Sequence, residues 1–213
     1  MNYFLQHPEA PALQTPGTQT RVLVAGIGNI FRGDDGFGPE VITRLIDTAG
    51  GVGNPGVRLV DYGIRGLHLA LDLLDGVDAL ILVDALPAPE ATGAGRDEKV
   101  TGAMVPGSIR ILAIGPEDIR SAGLPFGPAL DPHGMDPFTV LKRLSAMGGF
   151  LPLTYLVGCT VASIEDGIGL SREVSRSVPA AVAAVRNLIA TTIPARLPAV
   201  AAPAANVQGR QQL

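Results

Sequence analysis

The stretch GIGNIFRGDDGFGPEV, Gly26–Val41, decides how the chain is read. Just before it, Arg21 to Ala25 form an apolar run of the kind that makes a buried strand. Within and after it, Phe37, Val41, Ile42, Leu45 and Ile46 fall on one face at helical spacing. Strand, glycine turn and helix in that order open an α/β sheet.

The turn itself poses a choice. Gly26 and Gly28 suit a dinucleotide-binding turn, but that fingerprint needs a third glycine three positions after the second, where this chain has Phe31. The region that would supply a ribose-binding acid is the end of the first helix, around Asp47, and no Walker Gly-Lys-Ser/Thr ending occurs. Asp34 and Asp35 would repel a pyrophosphate. An acidic metal or cation site therefore ranks above a nucleotide site, and a nucleotide-binding oxidoreductase stands third among the readings. The structural alternative is that the glycines only permit a tight turn and that one aspartate caps the helix.

Working outward, further strand-like runs lie at Val57 to Asp61, Ala79 to Asp84, Ser108 to Ile114 and Leu153 to Gly158. Ile64, Leu67, Leu71 and Leu74 form a second helical face. Asp136 with Pro137 caps a helix carrying Phe138, Leu141 and Leu144, and Ser171 caps a last one bearing Val174, Val178, Val182, Val185 and Ile189. Pro179 is expected to kink or restart that last helix. Strands alternating with helices predict a five-stranded, mostly parallel sheet with helices on both faces.

The chain has 213 residues, 46% of them hydrophobic and 17% charged, which suits one core. The expected organisation is an N-terminal tail over 1–20, a single α/β domain over 21–190, and an Ala/Pro-rich tail over 191–213, both tails mobile. Pro87 to Gly107 reads as a disordered insertion or a mobile flap. A formal charge of -4 gives no basic surface for nucleic acid. The single cysteine, Cys159, excludes an internal disulfide, and no segment has signal-peptide or membrane-spanning character. A cytoplasmic protein without nucleic-acid or membrane partners is expected.

Ligands of open parallel sheets bind outside the carboxyl ends of the strands. Asp35 follows the first strand and Asp84 ends the third run. Of the three histidines, His7 is in the tail and His68 lies on a helix, leaving His133 in ALDPHGMDPF as ligand or general base. Two carboxylates and an imidazole suit a divalent first-row metal with an open position. The alternatives are capping for Asp84 and an ordinary surface position for His133. Cys159 activated by His133 offers a thiol route, set against a buried cysteine that packs as a small apolar side chain.

Taken together, GIGNIFRGDDGFGPEV, VDYGIRG, LILVDA, DPHG and VGCTVASIEDGIGLS, in this order between about Arg21 and Ala190, resemble the hydrogenase maturation proteases. That resemblance implies a three-layer α/β/α fold of the phosphorylase/hydrolase-like type with a five-stranded twisted sheet. It implies an endopeptidase that removes the C-terminal extension of a nickel-iron hydrogenase large-subunit precursor after nickel insertion, the nickel being carried by the precursor. By the same resemblance Asp35, rather than Asp34, joins Asp84 and His133 as the metal-contacting and catalytic set, and VDYGIRG lines the cleft beside Asp35. A non-cleaving, nickel-sensing assembly chaperone using the same site is the alternative. The chain departs from the family's usual form where TVAS replaces a Glu-Pro-containing segment.

Overall fold

The computed structural model describes residues 20–48, 56–86, 105–120 and 136–196. Five strands, β1 (Val22–Ile27), β2 (Val57–Gly63), β3 (Ala79–Leu86), β4 (Ile109–Ile114) and β5 (Leu153–Thr160), make one sheet in the order β2-β1-β3-β5-β4. All neighbours are parallel except β4, which runs antiparallel to β5 at the edge. The expected five-stranded, mostly parallel sheet is present. β1, β2, β3 and β5 each run two residues past their expected ends, because pairing continues at the carboxyl edge, as in Leu86 against Thr160.

Side chains alternate across this sheet and create two cores. Val22, Val24, Ile81, Val83, Val157 and Cys159 pack beneath α1 (Phe37–Asp47) and α5 (Arg172–Asn187). Leu23, Ala25, Ile27, Leu80, Leu82 and Leu156 face α2 (Gly66–Leu74) and α4 (Pro137–Ala146). Each fully buried leucine or isoleucine contributes about 1.5–3 kcal/mol of transfer free energy. A short helix, α3 (Pro116–Arg120), follows β4.

Local signals place α4 and α5 as expected, whereas α2 buries Leu69, Ala70 and Leu73 against the sheet and leaves the expected apolar face of Ile64, Leu67, Leu71 and Leu74 exposed. The Asp136 carboxylate accepts the Thr139 N–H at 3.0 Å at the start of α4, and Ser171 Oγ accepts the Val174 N–H at 3.4 Å at the start of α5. Pro179 lies inside α5, which runs on to Asn187. A π turn over Leu188–Thr192 and a last helix, α6 (Ile193–Arg196), then carry ordered structure past the expected boundary at residue 190. The reason is Ile193, which is buried in the α1/α5 core. The remainder of both expected tails, and residues 87–104 of the expected insertion, lie outside the described residues. Among the described residues no helix is long and apolar enough to cross a membrane.

Candidate active site at the sheet switch point

The strand order reverses between β1 and β3, since the chain builds outward to β2 on one side and to β5 and β4 on the other. A crevice opens at such a point beyond the carboxyl ends of the two strands. Glycines close the elements around it. At Gly28, φ is +131° and an added Cβ would collide with the Asp35 carbonyl oxygen. At Gly38, in the first turn of α1, a Cβ would collide with the carbonyl oxygens of both Ile27 and Val83. The start of α1 therefore sits directly over the β1/β3 junction. Gly38 does the close helix-to-strand packing that the nucleotide fingerprint assigns to its missing third glycine.

Asp35 lies in a 3₁₀ turn, Gly33–Gly36, between β1 and α1. Its half-buried carboxylate reaches back to accept the Asn29 N–H at 2.8 Å, while Asn29 Oδ1 accepts the Phe31 N–H at 3.0 Å. Asp84 is half-buried within β3 and accepts the N–H of its neighbour Ala85 at 2.8 Å. It shares with Leu82 and Leu86 the sheet face covered by α2 and α4, and its register partner on β5 is Gly158. The structure thus carries Asp35 and Asp84 to one edge of the sheet, at the switch point. His133 lies outside the described residues. Among the described residues no group of three or more His, Cys, Asp or Glu is gathered as a metal site, so two carboxylates are the described part of the expected set.

Asp34 has a different task. It is 1% exposed, and its Oδ2 accepts the N–H groups of Ala162 and Ser163 at 2.9 and 3.1 Å and the Ser171 hydroxyl at 2.9 Å. Its Oδ1 accepts the Ser171 N–H at 2.6 Å. A buried carboxylate so fully satisfied is a structural fastener. One aspartate of the pair is indeed structural, but it fastens the start of α5 and the segment after β5 rather than capping α1. Sequence reading had no local signal for this, because the donors lie 128 to 137 residues away.

The VDYGIRG turn is tied to the same rim. Gly63, with φ +52°, accepts the Gly28 N–H at 3.1 Å through its carbonyl. Arg65 Nε donates to the Tyr62 carbonyl at 3.0 Å and its Nη2 to the Asp61 carbonyl, bracing the turn from outside. Below it, the Tyr62 hydroxyl donates to Asp72 at 2.6 Å, and Arg58 donates to the same carboxylate oxygen at 3.0 Å. Burial, then the bond to Asp72, pushes the Tyr62 phenol well above its ordinary value. The Tyr62 bond, then burial acting in the opposite sense and the Arg58 bond, leave the Asp72 carboxyl lowered.

Cys159 is fully buried on the α1/α5 face, the opposite face from Asp84, with Sγ 3.2 Å from Ser177 Oγ. Burial raises its thiol pKa, the reverse of what a nucleophile needs. The packing alternative describes this cysteine. His68 is an exposed residue on α2.

No family model matches the chain. The hydrogenase expression/formation protein HupD of Rhodobacter capsulatus is 31% identical over 173 residues, covering 79% of this chain and 71% of that protein. The chain belongs to the hydrogenase maturation protease family. Within that family, the hydrogenase 2 maturation protease of Escherichia coli K12 is 28% identical over 76% of this chain and 86% of its own length. The solved structure of the E. coli hydrogenase maturating endopeptidase HybD superposes with a TM-score of 0.62 at 27% identity, covering 80% of this chain and 93% of that one. The family's α/β fold is the five-stranded sheet with flanking helices seen here.

Proposed function

We propose that this chain is an endopeptidase, a hydrolase of peptide bonds, that removes the C-terminal extension of a nickel-iron hydrogenase large-subunit precursor once nickel is in place. The observation that carries the reading is that Asp35, in the turn after β1, and Asp84, near the end of β3, lie at the carboxyl ends of adjacent strands in a chain of this family. The names carried by its relatives favour cleavage over a non-cleaving chaperone.

Nickel in this reading belongs to the substrate. Asp35, Asp84 and His133 add oxygen and nitrogen ligands to an ion the precursor already holds, so that the scissile segment is fixed beside the carboxylates. A cation carried by the precursor is attracted by both carboxylates, which favours a metal-loaded partner. Hydrolysis adds water to the scissile carbonyl carbon, breaks the C–N bond and returns a proton to the departing amine.

The test incubates nickel-loaded and nickel-free precursor with the protein and follows mass. Loss of the C-terminal extension from the loaded form alone is expected. Equal cleavage of both forms removes the nickel requirement, and cleavage of neither removes the endopeptidase reading.

A further inference from the structure

Two large apolar side chains stand beside the candidate site with little cover: Phe31 is 62% exposed and Ile168 is 83% exposed. They belong to loops after different strands, yet their backbones are locked together. The Gly167 N–H donates to the Phe31 carbonyl at 2.9 Å, the Gly33 N–H donates to the Gly167 carbonyl at 2.9 Å, and Arg32 bridges Gly167. Buried Asp34 fastens both ends of the second loop through Ala162, Ser163 and Ser171. Apolar groups held outward on so fixed a backbone are preorganised for contact and cannot turn inward.

The same knob is continuous with the site. Asn29 accepts the Phe31 N–H and donates its own N–H to Asp35, so the position of Phe31 is set from the carboxylate. Exposed Glu165 and Asp166 give Ile168 an acidic border. We propose that Phe31 and Ile168 form the docking knob for the large-subunit precursor, an inference that rests on the endopeptidase reading above. The matching surface on the precursor is an apolar patch bordered by basic residues, close to the extension that is cut.

The test measures Kd and KM for nickel-loaded large-subunit precursor from the same organism, with wild type, Phe31→Ser, Ile168→Ser and Phe31→Leu. Each serine variant is expected to raise Kd and KM about tenfold with kcat nearly unchanged, and Phe31→Leu to restore most of the loss. Thermal midpoints stay at the wild-type value, since both side chains are exposed; should a serine variant fold poorly, Ile168→Ala gives the same reading with less disturbance. Wild-type Kd and KM in the serine variants overturn the proposal. So does a wild-type dimer that Phe31→Ser converts to monomer, which would make a second copy the occupant. A wild type that neither binds nor cuts the precursor removes the endopeptidase reading and the docking knob with it, whereas cleavage that is indifferent to Phe31 and Ile168 removes only the knob.

Discussion

Asp34 and Asp35 are neighbours in the chain and opposites in the molecule. Asp34 is buried and takes four hydrogen bonds from the region between β5 and α5. Asp35 is half-buried at the β1/β3 switch point, where it accepts the Asn29 N–H. A carboxylate saturated by backbone donors is held in one state and builds structure, whereas one kept at a crevice edge can take on a ligand. The pairing of the two sets where the second one points.

That contrast makes its largest prediction for activity. Asp35→Asn or Asp84→Asn is expected to reduce processing of nickel-loaded precursor by at least about a hundredfold while the urea midpoint changes little, a loss typical of a reaction-centre group rather than a structural one. Asp34→Ala should do the reverse in kind: it removes the buried carboxylate that holds the N–H groups of Ala162, Ser163 and Ser171, and a stability loss of about 3 kcal/mol by urea unfolding is expected. Wild-type stability in Asp34→Ala, or wild-type processing in both rim variants, erases the distinction.

Smaller effects sharpen it. Gly38→Ala forces a methyl group against the Ile27 and Val83 carbonyl oxygens and is expected to cost about 1–3 kcal/mol, with activity falling alongside as the Asp35 turn shifts. Tyr62 gives a pH signature. Its folded-state pKa is raised above the ordinary 10.0, so its contribution is complete below pH 10.0 and is lost as pH rises further, because the unfolded chain releases the phenolic proton first. Unfolding measured across that alkaline range should show a stability decline in wild type that Tyr62→Phe lacks. Cys159→Ala should leave processing at the wild-type rate and cost about 1 kcal/mol of stability from the small cavity it leaves.

Much of this architecture was legible in the sequence because the signals are local. Apolar runs gave the five strands, and Asp136 and Ser171 marked the starts of α4 and α5 through bonds that span three residues. What stayed hidden depends on contacts between distant segments. The donors that identify Asp34 as the fastener come from beyond β5, and the task of Gly38 appears only when β1 and β3 lie side by side beneath α1. The extension to Arg196 has no local signal because its polar, proline-bearing sequence reads as a tail, and the burial of Ile193 explains it. Family resemblance distinguishes Asp35 from Asp34 in the sequence, and the hydrogen bonds of Asp34 give the physical reason why it is committed elsewhere.

The most direct measurement is anomalous diffraction at the nickel edge from crystals of the protein soaked in nickel. One strong peak bonded to carboxylate oxygens of both Asp35 and Asp84, with His133 completing the set, is expected. A nickel peak touched by neither aspartate would contradict it.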